Sequence, residues 1–149
     1  GSALDATAAN TLDDYEEGAW TGVITTTGTD FSFSGSRTSN SYYIKVGNQV
    51  TAWFDLTIPS PTSGSGSVKI TGLPFAGVTT GLGATSQMQL GRFGDVYSYN
   101  LYGYMGTNSD EIFIKYLEDD ANPSAWPASQ LNGLATPYCT GSITYYTTN

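Results

Sequence analysis

Carboxylates are the first residues in this chain whose type and spacing could support chemistry. Asp13, Asp14, Glu16 and Glu17 crowd one short stretch, and Glu118, Asp119 and Asp120 form a second run. Such groups can bind calcium or divide acid and base roles between them. A calcium loop needs oxygen ligands at alternating positions around a sharp turn, which Tyr15 and the direct run into Trp20 do not supply. The first cluster therefore reads as capping or subunit contact at the base of a domain, with Asp13, Asp14, Tyr15, Glu16 and Glu17 as interface residues and no metal. The second reads as a solvated turn. A glycosidase pair would have to face across a cleft at roughly 5–9 Å, and neither pairing nor cleft is signalled.

The rest of the catalytic inventory is short. The chain has no histidine, so nucleophiles that rely on an imidazole base and the common zinc clusters are excluded. Cys139 is the single cysteine, which rules out an internal disulfide and reads as a small buried apolar residue. No catalytic residue and no cofactor is expected.

Aromatic side chains offer a different chemistry. There are 11 Tyr, 3 Trp and 6 Phe in 149 residues. Sugar rings stack axial C–H patches on flat aromatic faces, while their hydroxyls seek amides and carboxylates. Trp126 lies in a loop bracketed by Pro123 and Pro127, where Asn122, Ser124 and Gln130 could supply hydrogen bonds, so it is the first ligand candidate. Tyr102 and Tyr104 share a strand face with Asn100 and form the second. Trp53 stands on a polar face, where a lone large aromatic is more often covered by a neighbouring subunit. Trp20 reads as structural.

Strands must position these residues. Over residues 48–58, Val50, Ala52, Phe54, Leu56 and Ile58 alternate with Gln49, Thr51, Trp53, Asp55 and Thr57, the period of a half-buried strand. The rows Tyr42, Ile44, Val46 and Ile112, Ile114, Tyr116 also read as core-facing. Over residues 96–105 aromatics fall on both faces, Tyr97, Tyr99 and Leu101 on one, Tyr102 and Tyr104 on the other, as in a strand covered from both sides. Residues 60–67 are a Pro, Ser and Gly loop, and residues 119–127 a turn-rich excursion. No repeat, heptad or long helix is visible.

Eight to ten short strands with such connections predict an all-β, antiparallel β-sandwich of jelly-roll type. With 39% hydrophobic and only 12% charged residues, the chain has the make-up of strands and tight turns rather than of charged helical faces. It is long enough for one domain with a single core. Residues 1–11 read as a linker or the end of a shaft and residues 12–149 as the sandwich. Gly1 and Ser2 look like a remnant of cloning, so the natural protein is expected to extend upstream. A formal charge of −8 disfavours nucleic acid and anionic membranes as partners. No apolar run approaches the roughly 20 residues of a membrane span.

Four strings then place the chain beside a known family. Leu12, Asp13, Asp14, Tyr15, Glu16, Glu17, Gly18, Ala19 and Trp20 resemble the opening motif of bacteriophage tail-fibre domains. Tyr42 to Val50 reads Tyr-Tyr-Ile-Lys-Val-Gly-Asn-Gln-Val and resembles that family's Tyr-Thr-Lys-Ile-Gly-Asn-x-Val string. Ile70, Thr71, Gly72, Leu73, Pro74 and Phe75 are similar to its turn, and Gly141, Ser142, Ile143, Thr144 and Tyr145 to its closing strand. Ala19, Thr21 and Gly22 depart from the usual residues around the tryptophan, and Ile44 with Val46 from the usual order of the second string.

The resemblance implies a homotrimer at or near a fibre tip, carried by an upstream shaft in the virion, without enzymatic activity, adhering to a host cell-surface glycan. It also places Gly47 and Gly72 at turns, where a residue without Cβ can take positive φ. Two alternatives stand beside it: an architectural trimerisation, connector or head-decoration domain, and a carbohydrate-binding module from a larger enzyme, which would be monomeric.

Overall fold

Alternation along one strand sets the phase of the whole molecule. In the computed structural model, which describes residues 14–78, 86–94, 100–106, 109–117 and 122–148 (residues 86–92 by their backbone), Val50, Ala52, Phe54 and Leu56 are all buried while Trp53 is exposed. Their strand is the fourth of ten among the described residues: β1 (Tyr15–Ala19), β2 (Val23–Thr26), β3 (Thr38–Val46), β4 (Gln49–Thr57), β5 (Val68–Thr71), β6 (Ser86–Phe93), β7 (Asn100–Met105), β8 (Ile112–Leu117), β9 (Ser124–Ala125) and β10 (Tyr138–Tyr146). A single short 3-10 turn, Ala128–Gln130, is the helical part of these residues.

All ladders are antiparallel and make a two-sheet sandwich. The hydrogen-bonded order is β1-β3-β4-β10-β6-β7-β8-β5-β2, with β9 on β8. β6 serves both sheets, because its residues 88–93 pair with β10 and its residues 86–88 with β7. A register shift between Thr140 and Gly141 marks this corner, where a bulge bends a strand away from its sheet. Sheet I is thus β1-β3-β4-β10-β6 and sheet II is β6-β7-β8-β5-β2.

The opposite side of the sandwich is closed by the chain itself. β1 and β2 are consecutive in sequence yet lie at the two ends of the strand order, so residues 20–22 cross from one sheet to the other. Trp20 seals the crossing. Its backbone N–H donates to Ser41 O at 3.2 Å, its indole N–H donates to Tyr42 O at 3.2 Å, and its ring meets Phe54 edge-on at 6.2 Å. The Gly22 N–H donates to Ser39 Oγ at 2.9 Å. The structural role expected for Trp20 is the one observed.

Two glycines are needed where they stand. Gly47 opens the two-residue β3–β4 turn with φ 57°, while Asn48 keeps a negative φ, the combination a type II′ hairpin requires. Gly72 has φ 89°, and a Cβ there would sit 2.3 Å from the Thr21 carbonyl oxygen, against the crossing segment. Both match the positive φ expected of them.

The core lies between the sheets. Val50, Phe54, Leu56, Ile143 and Tyr145 of sheet I face Ile24, Val68, Ile70, Met105, Ile112 and Ile114 of sheet II. The Ile112 and Ile114 row faces inward as expected, with Tyr116 packed against it. The Cys139 thiol is buried and pushed well above its usual range by desolvation and, secondarily, by Asp55, which makes it inert.

One sequence expectation is reversed. Tyr42, Ile44 and Val46 do not face the core: Tyr42 and Val46 are exposed and Ile44 half-buried. The cause is register. Tyr42, Ile44 and Val46 pair with Trp53, Thr51 and Gln49, and directly opposed residues share a sheet face. Ser41, Tyr43 and Lys45, opposite Phe54, Ala52 and Val50, take the inner side instead. The expectations for residues 1–11, Leu12, Asp13, Tyr97, Tyr99, Glu118, Asp119 and Asp120 lie outside the described residues.

Candidate functional surfaces

The outer face of sheet I gathers large side chains that pleating turns away from the core. Tyr15, Tyr42, Val46, Trp53 and Tyr146 are 47%, 42%, 48%, 42% and 43% exposed. Register makes them neighbours: Tyr15 pairs with Val46, Tyr42 with Trp53, and Gln49 lies between Val46 and Tyr146. Glu17 and Asp55 are the charged residues of this face on β1, β3, β4 and β10. In a chain with 13 acidic residues, this charge-poor, aromatic surface has the composition of an interface core.

Glu17 is built into that face. Tyr15 and Tyr42 lie on either side of it, and both phenols donate to its carboxylate, which holds it below the usual carboxylate range; the phenols rise in turn. Because the folded carboxyl titrates lower than the unfolded one, its contribution to stability is complete above the ordinary value of 4.5 and is lost as pH falls through the folded value. We expect the Glu17 side-chain carbon resonance to titrate below pH 4.5 in the native protein and to move up toward that value in Tyr15→Phe and Tyr42→Phe.

The outer face of sheet II is aromatic too, but differently equipped. β7 presents Asn100, Tyr102 and Tyr104, opposite Leu117, Lys115 and Phe113 of β8. Tyr104 and Phe113 lie 5.6 Å apart with rings tilted by 32°, and the Lys115 ammonium stands 5.0 Å over the Tyr104 ring. Lys69, opposite Phe113, is paired with Glu111 at 2.6 Å. Asn100 is exposed, and Tyr102 and Tyr104 are half-buried. Here flat rings, an amide and an ammonium share one face, the combination that can stack a pyranose and bind its polar rim.

The structure thus brings Asn100, Tyr102 and Tyr104 together as expected, on the side of β7 opposite Leu101. It also collects Tyr15, Glu17 and Trp53 on one surface. Glu16 points the other way, where the Tyr43 hydroxyl donates to it at 2.6 Å. Asp14 sits beside the β3–β4 turn, its carbonyl accepting from the Gly47 N–H at 3.1 Å. Among the described residues no group of three or more potential metal ligands is assembled.

Trp126 requires a correction. It has no exposed surface, so it offers no face to a sugar, and Asn122 and Gln130 stay exposed without an indole to stack against. Backbone pairing pulls it inward: Trp126 N–H donates to Ile114 O at 3.0 Å and Val68 N–H to Trp126 O at 2.8 Å. Its ring then meets Phe93 edge-on at 4.8 Å. The proline-bracketed segment is a third ladder against β8 and β5 rather than a protruding loop.

Phe113, Lys115, Leu117, Tyr42, Ile44, Val46 and Tyr146 were not singled out as surface residues from sequence. A signal existed for β3. Counting back from a two-residue Gly47-Asn48 turn pairs Val46 with Gln49, and the strong β4 alternation then fixes the phase of its partner.

No family model and no curated protein matches the chain. Among solved structures, it is similar to the crystal structure of the Dettilon tailspike protein gp208, with a TM-score of 0.67 and 16% identity over 89% of this chain and 24% of that one. At that identity the likeness shows the sandwich fold. The chain spans about a quarter of the tailspike's length.

Proposed function

We propose that the chain is a non-catalytic domain of a phage tail appendage that adheres to host cell-surface glycan as a homotrimer, joined in the virion to an upstream shaft. The sheet I face is the subunit contact and the sheet II face the ligand surface. The observation that carries this reading is the Asn100, Tyr102, Tyr104 row, open on a sheet face with Lys115 beside it. Support comes also from the tailspike likeness and from the four tail-fibre strings. Three shallow sites reaching a polysaccharide together gain avidity that one lacks, so each site needs only a flat aromatic platform.

Burial of Trp126 favours a second reading, an architectural domain whose aromatics serve packing and contact. A glycan array probed with the intact assembly separates the two, with sedimentation equilibrium on the same sample. Saturable glycan binding by a three-chain particle is expected. A trimer that binds no glycan leaves the architectural reading, and a monomer that binds points instead to a module excised from a larger enzyme.

A further inference from the structure

Four cations have described side chains, and two of them are neutralised by carboxylates. Arg37 is paired with Asp30 at 2.7 Å and Lys69 with Glu111 at 2.6 Å. Lys45, on the inner side of β3, lies over the Phe75 ring at 5.7 Å. Of these four, Lys115 stands on the outer face of a sheet without an ion pair among the described residues. Register fixes it between Tyr102 of β7 and Ala125 of β9. Ala125 is too short to cover it, and Tyr104 lies under the ammonium, a contact that uses none of its N–H donors as a hydrogen bond would.

A neutral sugar needs no such cation, and a chain of formal charge −8 gains little solubility from one. We infer that the sugar unit held on the sheet II face carries a carboxylate, as a uronic acid does, with Lys115 as its counter-ion, Tyr102 and Tyr104 as the platform and Asn100 for a ring hydroxyl. This rests on the glycan reading above. A phosphate is a poorer fit, because one ammonium without an arginine fork or a helix N-terminus does not match a dianion. The net negative charge of the whole chain disfavours a dianion more than a singly charged ligand.

The test uses the assembled full chain and a panel of uronic-acid-containing bacterial capsular polysaccharides, each beside its carboxyl-reduced form, which has the same sugars with alcohols in place of carboxylates. Reduction is expected to weaken binding about tenfold. Lys115→Gln should lose that preference while its melting temperature and assembly mass stay unchanged, and Lys115→Arg should keep it. Tyr104→Ala should weaken both forms together. Equal binding of native and reduced polysaccharide, or an undiminished preference in Lys115→Gln, overturns the acidic-sugar inference and leaves the glycan reading standing. Binding of neither form overturns both.

Discussion

Trp126→Ala is expected to cost about 3–5 kcal/mol of folding stability, a large share of what a domain of this size possesses. The residue is fully enclosed. Its backbone bridges β8 and β5, and its ring packs edge-on against Phe93, so truncation leaves a cavity that strands on both sides prevent from collapsing. The indole N–H has no acceptor among the described residues, an arrangement that costs about 1–3 kcal/mol. Trp126→Phe removes that donor while keeping an aromatic contact, and should lose much less than the Ala variant. Urea unfolding measures both. Glycan binding per folded molecule should be unchanged in Trp126→Phe; a large loss of binding at unchanged stability would restore Trp126 to the ligand surface.

Gly72→Ala is the second large effect, about 3 kcal/mol, from a mechanism that is not packing. At φ 89° an L-residue is strained, and the added methyl would meet the Thr21 carbonyl oxygen. That oxygen belongs to the segment crossing between the sheets and cannot swing away as a side chain could. Relief requires the crossing to open, which exposes the edges β1 and β2 and invites pairing with other chains. The expected outcome is a lower melting temperature together with protease cleavage near residues 20–22. Gly47→Ala, with the same sign of φ but nothing near its Cβ position, should cost distinctly less, and equal costs at the two sites would count against the corner clash.

How much of this was legible in the sequence depends on the distance over which the information acts. β4 could be read whole because apolar residues alternate from Val50 to Ile58 without a break, and Gly47 and Gly72 were placed at turns by the resemblance of their strings to the tail-fibre family. The inward row of β8 was equally plain. The phase of β3 was misread because Tyr42, Ile44 and Val46 form an apolar row by themselves, and only pairing with β4 shows that row to be the outer one.

Trp126 failed for a related reason. Pro123 and Pro127 signal a loop in sequence, whereas the short β9 ladder to Lys115 and Tyr116 is a long-range pairing with no local signature. The hand-over at β6 and the crossing at residues 20–22 are of the same kind, because each is set by pairings beyond the local chain, β6 with β10, β1 with β3 and β2 with β5. The candidate row on β7 was legible because Asn100, Tyr102 and Tyr104 share a strand. Lys115 was missed because it joins them only through cross-strand register.

The proposed division of labour between the two outer faces is tested most directly by side-chain footprinting with hydroxyl radicals. Applied to the assembled protein with and without capsular polysaccharide, it should find Tyr42, Trp53 and Tyr146 shielded whether or not ligand is present, and Tyr102 and Tyr104 shielded only when ligand is added. Ligand-dependent shielding at Trp53, with Tyr102 and Tyr104 protected in its absence, would contradict the assignment.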